Sequence, residues 1–209
     1  PLSTAQMRMW FINQFDTDSS AYNIPMGLRV DGALDADALR GALLDVMDRH
    51  EVLRTVYPSD DQGPLQRILG IEEASAAVDF AIVDDEGELA ASALRGFDVA
   101  TELPIRARVY PRVDGNDVVV TAHHIAFDGE SNQVFVGDLL NAYLRRTGIE
   151  VEQRAPLPVQ YADYALWQRE VLGDIADPAS PAGMQMAYWR EHLAGLPAVT
   201  DLPMDRPRP

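Results

Sequence analysis

The stretch Thr121-Ala122-His123-His124-Ile125-Ala126-Phe127-Asp128-Gly129 closes a β-branched run that opens at Asp117 and hands over to a helical pattern. Asp117 to Phe127 reads as a strand, paired with Ile105 to Pro111 across the turn Val113-Asp114-Gly115-Asn116. After Asp128-Gly129, the residues Val134, Phe135, Leu139, Leu140 and Tyr143 recur at helical spacing as far as Arg146. The unit is a hairpin, a sharp turn and a helix.

Neighbouring side chains on a strand point to opposite faces, so His123 and His124 cannot serve one site side by side. Parity groups His124 with Val118, Val120 and Ala122, and His123 with Val119, Thr121, Ile125 and Phe127. It does not say which face is functional. Gly129 gives the turn backbone freedom, and Glu130-Ser131 open a helix whose first N–H groups are unpaired and partly positive. An imidazole beside such a helix end joins a proton acceptor to donors for a developing oxyanion, which suits acyl transfer. The plainer reading of the same residues is a satisfied core histidine followed by an ordinary turn. No metal is expected, because opposed histidines leave one imidazole plus Asp128, short of a zinc ligand set. A G-x-S-x-G elbow for a serine hydrolase is absent from the sequence.

Upstream, Ser3 caps a helix to Phe15 with Met7, Trp10, Phe11 and Gln14 on one face. Ile24 to Val30 is a strand ended by Asp31-Gly32, and Asp35 caps a helix to His50 carrying Leu39, Leu43, Val46, Met47 and His50 along one stripe. Val52 to Tyr57 and Leu65 to Leu69 read as short strands, Glu86 to Arg95 as a short helix. Downstream, Pro156 and Pro158 break the chain before helices at Tyr161 to Leu172 and Met184 to Ala194. The end, with three prolines in seven residues, is not assigned regular structure.

The 209 residues carry 17 basic and 33 acidic side chains, a net charge of −16, and every basic residue is arginine. Without lysine there is no Schiff base and no Walker-type phosphate loop; without cysteine there is no thiolate nucleophile, disulfide or thiolate zinc site. The acidic balance disfavours nucleic acid as a partner. No apolar run reaches the roughly 18 residues of a membrane span, and Pro1-Leu2-Ser3 carries no signal-peptide pattern, so a cytoplasmic location off the membrane is expected. The missing initiator methionine suggests a segment of a longer chain.

His123 to Gly129 matches the H-H-x-x-x-D-G core of condensation domains of nonribosomal peptide synthetases, and other stretches resemble that family's motifs in order. Ser3-Thr4-Ala5-Gln6-Met7-Arg8-Met9-Trp10-Phe11 resembles the first, Arg49-His50-Glu51-Val52-Leu53-Arg54-Thr55 the second, and Tyr161-Ala162-Asp163-Tyr164-Ala165-Leu166-Trp167-Gln168 the fourth. Tyr188-Trp189-Arg190 and Leu202-Pro203-Met204-Asp205-Arg206-Pro207 are similar to the family's stretch C-terminal to its fourth motif.

The resemblance implies an α/β (α+β) two-layer sandwich like chloramphenicol acetyltransferase: a mixed β-sheet covered by helices, one half of a two-lobe pseudo-dimer. Residues 1–155 would be the N-terminal lobe, and 156–209 a linker with the helices that open a truncated second lobe. It implies peptide-bond formation between a donor aminoacyl or peptidyl thioester and an acceptor aminoacyl thioester. Both substrates ride on phosphopantetheine of upstream and downstream carrier proteins, with no cofactor bound directly. The partners are these carriers, the second lobe and adjacent synthetase domains.

By position His124 is the family's active-site histidine, and Gly129 directs its N–H toward the thioester oxygen. His123 and Asp128 support the site, with Arg49 as first and Arg54 as second candidate partner of the Asp128 carboxylate. His50 is expected to pack and not to act. Glu130, where the family often has an aromatic or small residue, is read as favouring the helix N-terminus. An epimerisation domain, another acyltransferase of the superfamily, and a non-catalytic carrier-docking or recruitment module are the alternatives; the fragment alone is expected to be inactive. A heterocyclisation domain would replace both histidines with aspartates.

Overall fold

A computed structural model describes residues 1–197 and 206. It divides into two compact units, Pro1–Leu166 and Trp167–Pro209. The Leu202 to Pro207 motif and the proline-rich end lie outside the described residues, Arg206 excepted.

The first unit is built on a four-stranded mixed sheet. Its members are β1 (Asn23–Asp31), β6 (Asp79–Ile82), β7 (Ile105–Pro111) and β8 (Gly115–His123), in the order β1-β8-β7-β6. β8 is antiparallel to both β1 and β7, with Asn23 and Ile105 facing His123 and Ala122, while β6 runs parallel to β7. α1 (Thr4–Asn13) precedes β1, and between the strands lie α2 (Ala36–Arg49), a 3₁₀ turn (Glu51–Arg54), four two-residue strands, α3 (Ile71–Ala77) and α4 (Glu86–Leu94). The short strands are β2 (Thr55–Val56), β3 (Ser59–Asp60), β4 (Gly63–Pro64) and β5 (Arg67–Ile68). α5 (Ser131–Arg146) follows β8, and α6 (Tyr161–Leu172) opens in the first unit.

One sheet face carries Ile105, Ala107, Val109, Val118, Val120 and Ala122, all buried against Leu43, Val46 and Met47 of α2 and Phe135 and Leu139 of α5. β1 alternates as expected for a half-buried edge, its even positions turned to this core. The opposite face carries Arg106, Thr121 and His123. There the fully buried Arg106 donates to Gly96 O at 2.6 Å and lies 3.5 Å over the Phe97 ring. Burial lowers its pKa to about 10, and nearby Arg95 adds to the shift.

The mixed sheet covered by helices is the expected one, and the differences from the sequence reading have local causes. Met7 and Trp10 of α1 are half-buried, but Phe11 and Gln14 are exposed; the helix instead buries Gln6, Met9 and Asn13. The two polar residues are buried because they are bonded: Gln6 donates to the Tyr57 hydroxyl and Ile125 O, and Asn13 donates to Phe97 O while accepting from Val99 N. Val52 to Tyr57 yields a 3₁₀ turn and only two strand residues, because Arg54 is pinned to Met47 O and Leu69 O. α3 and β6 have no periodicity long enough to have been read. β8 begins at Gly115, two residues before the expected strand.

In the second unit, α7 (Pro181–His192) starts three residues before Met184, since Ser180 caps it through Gly183 N and Pro181 sits where a missing N–H costs nothing. Tyr188 stacks on His192 one turn later, with ring centroids 5.5 Å apart. Among the described residues no helix is long and apolar enough to cross a membrane.

Gly115 is packed where β8 meets β1, and an added Cβ would stand 2.3 Å from Val30 O. Gly115→Ala is expected to lower stability by about 1–3 kcal/mol, read as a lower urea midpoint with an unchanged slope.

Candidate active site

β8 stops at His123, one residue before the second histidine. His123 N donates to Pro104 O and His124 N to Tyr22 O, after which Ala126 N returns to His123 O and closes a turn. The expected strand through Phe127 is therefore cut short.

The two imidazoles have different surroundings. His123 is 2% exposed, wedged beside Tyr22 and Phe97, and its Nδ1 accepts from Ile125 N at 3.0 Å. Burial, with smaller effects of His124 and Arg106, pushes its pKa down to about 4. It is a neutral structural group that shapes the turn. His124 is half-buried, edge-on to Tyr22, and its Nδ1 has no hydrogen-bond partner among the described residues.

Asp128 pairs with neither Arg49 nor Arg54, contrary to the expectation from sequence. Its Oδ1 accepts from Ser131 N at 2.9 Å and Ser131 Oγ at 2.6 Å, while Asp128 N donates back to Ser131 Oγ at 3.2 Å. These bonds hold its carboxyl below the usual range, with a smaller contribution from His124. The aspartate caps α5 from three residues away, and the D-x-x-S spacing is the signal that could have shown it. Glu130 has helical dihedrals and makes no side-chain cap bond.

Gly129 is not left-handed; the positive-φ glycines are 32, 63, 148, 173 and 195. Its use is space. A Cβ there would meet nothing within 4 Å, and its N–H donates to no acceptor among the described residues. The turn thus leaves a backbone donor without an acceptor beside a half-buried imidazole on the short loop that Asp128 anchors.

The arginines proposed for Asp128 are used elsewhere. Arg54 pairs with Glu51 at 3.2 Å. Arg49 Nε binds Asp138 Oδ2 at 3.0 Å, His50 Nε2 meets the same oxygen at 2.7 Å, and Arg154 Nε lies 2.7 Å from Oδ1. Gln160 completes the junction by donating to Arg49 O and accepting from Glu51 N. His50, expected simply to pack, is held by a carboxylate. Asp138, whose side chain is 3% exposed, was missed by sequence reasoning. The signal was an acid on the apolar Phe135-Leu139-Ala142 stripe, which a buried helix face tolerates only with partners. Beside this junction, His50, Val52, Leu53, Ala126, Phe127, Asp128, Glu130, Ser131, Val134 and Phe135 line a cavity of about 290 Å³. Among the described residues no cluster of histidine and acidic side chains could hold a metal.

A condensation-domain family model matches residues 1–209. The chain is 46% identical, over its whole length, to a probable non-canonical nonribosomal peptide synthetase, CymA, of Salinispora arenicola, and spans 3% of that protein. It is 43% identical over its whole length to an isonitrile lipopeptide synthase of Mycobacterium tuberculosis, of which it spans 9%. Among solved structures, the X-domain from teicoplanin biosynthesis in complex with OxyB superposes with a TM-score of 0.82 at 34% identity, covering all of this chain and 46% of that one.

Two measurements check the electrostatics. His123 has a folded pKa near 4 against 6.5 in its ordinary state, so between these values the unfolded chain binds more protons and stability falls as pH drops. The loss is on the order of 3 kcal/mol, and the urea midpoint of His123→Gln is expected to change less steeply over that window. Asp138→Ala, which removes the buried carboxylate shared by Arg49, His50 and Arg154 and leaves their partly exposed donors without it, is expected to cost about 1–3 kcal/mol. Arg154→Ala, whose side chain is 50% exposed, is expected to cost about 1 kcal/mol or less.

Proposed function

This chain belongs to the condensation-domain family, whose members are acyltransferase-type enzymes, and from that premise we propose that it supplies the catalytic turn of a peptide-bond-forming domain. Residues 1–155 serve as the N-terminal lobe and 156–209 as a linker and the opening helices of a second lobe. The chain spans under a tenth of the first curated relatives and less than half of the X-domain chain, so the activity belongs to a larger protein. Its substrates are aminoacyl or peptidyl thioesters on the phosphopantetheine of upstream and downstream carrier proteins, in the cytoplasm.

The observation that carries this reading is the contrast within the histidine pair. His123 is buried and satisfied, while half-buried His124, whose unpartnered Nδ1 is itself buried, presents the rest of its ring on the same loop as the free Gly129 N–H. The acceptor amine attacks the donor carbonyl, a C–N bond forms, and the carbonyl electrons move to oxygen, where the Gly129 N–H stabilises the charge. His124 orients the amine and takes its proton. An α-amine with pKa near ~8 is already partly neutral, so orientation contributes alongside proton transfer. The intermediate then collapses, the C–S bond breaks, and the proton returns to the departing thiolate. Asp128 holds Ser131 and with it the first turn of α5, which keeps Gly129 in place.

A second reading has one observation in its favour: the likeness to an X-domain that was solved bound to another protein. On that reading the lobe recruits a partner and the histidines are retained for structure.

His124→Ala in the complete domain, assayed with both carriers loaded, is expected to lower the rate of amide formation at least 100-fold. Unchanged turnover would sink the assigned role, and epimerised donor without any amide would favour the epimerisation alternative.

A further inference from the structure

The 290 Å³ cavity beside the catalytic turn has no part in the steps just described. Its walls are of two kinds. Val52, Leu53, Ala126, Val134 and the edge-on pair Phe127–Phe135, with centroids 5.6 Å apart at 80°, make an apolar surface with aromatic edges. The polar groups are His50, Asp128, Glu130 and Ser131.

The polar side is rich in acceptors. Asp138, paired with Arg49 and Arg154, is a carboxylate and can only accept, so the proton of its 2.7 Å contact with His50 sits on His50 Nε2. In the neutral ring Nδ1 is then an acceptor, and it has no partner among the described residues. Asp128 and Glu130 add carboxylate oxygens and disfavour any acidic guest. The Asp138 junction therefore sets the tautomer of a histidine that lines a cavity sharing Asp128 with the catalytic turn. A volume of this size is at the small end of ligand cavities, the scale of one aromatic side chain. Contact with the edges of two phenylalanines suits an aromatic ring, and an acceptor at the polar side suits a hydroxyl on it.

We propose that this cavity receives the side chain of one of the two carrier-bound aminoacyl groups and selects an aromatic ring that bears a hydroxyl. The proposal rests on the condensation reading for its substrate. His50 is its specificity-determining residue, and Asp138 acts through His50 as a positioning residue.

The test uses the complete domain with both carrier proteins. Donor and acceptor carriers are loaded in turn with tyrosine, phenylalanine or alanine while the other carries alanine, and kcat/KM for amide formation is measured. One of the two arms is expected to favour tyrosine over phenylalanine about tenfold, the scale of a single hydrogen bond, and identifies which substrate enters. His50→Leu is expected to bring that ratio close to one. Val134→Trp, at a position 54% exposed on the cavity rim, is expected to lower the tyrosine-to-alanine ratio at least tenfold without disturbing the core. In parallel, 4-methylphenol and toluene are titrated against the domain by ligand-observed NMR, with 4-methylphenol expected to bind more tightly and to be displaced by Val134→Trp. A condensing domain with no tyrosine preference in either arm, or with a preference and a 4-methylphenol signal both indifferent to Val134→Trp, overturns the cavity assignment. A domain that forms no amide with any pair but binds 4-methylphenol in a Val134→Trp-sensitive way keeps the cavity and overturns the condensation reading.

Discussion

The histidine pair and the turn that carries it hang from the end of one strand that is hydrogen-bonded on both sides. β8 is paired with β1 along nine residues and with β7 along seven, and helices cover both of its faces. A strand so enclosed cannot slip, because a one-residue shift would drive Thr121 and His123 into the aliphatic core. The pairing also decides where the strand ends. Once Pro104 O and Tyr22 O have accepted from His123 and His124, the backbone turns back on itself at Ala126.

The turn is held from two directions. Locally, Asp128 and Ser131 exchange hydrogen bonds and start α5. At longer range, Asp138 two turns into that helix binds Arg49 and His50 at the end of α2, and Arg154 beyond α5. A carboxylate this deeply buried would be costly alone, and three cationic or donor groups offset the desolvation. The result couples the second sequence motif to the helix that succeeds the histidine motif, through α5 and not through Asp128. On the other face, Arg106 takes the carbonyls that end α4 and supports Phe97, against which His123 packs.

The central strands and long helices were legible for different reasons: α2 shows Leu39, Leu43, Val46 and Met47 on one face, β7 interleaves Ile105, Ala107 and Val109 with arginine, and β8 carries a β-branched run. The failures were short or polar. α1 buries Gln6 and Asn13, which no hydropathy pattern marks as core, since their burial depends on carbonyls and hydroxyls from Tyr57, Phe97 and Ile125 far along the chain. The partner of Asp128 was sought among arginines when the answer was a serine three residues away, a capping relation that competes with ion pairing at every helix start. Gly129 does not use the backbone freedom its residue type offers; its contribution is an absence of side chain.

The sequence by itself determined the hairpin, the helix after it, the adjacent histidines and the family to which they belong, because these rest on local pattern and on motif order. It also determined what chemistry is missing, with neither lysine nor cysteine available for covalent work. Only the tertiary structure decided which histidine is buried, which arginine meets which carboxylate, and that His50 looks onto a cavity. Those outcomes depend on residues dozens of positions apart being brought within hydrogen-bond distance, and on desolvation that only a closed fold creates.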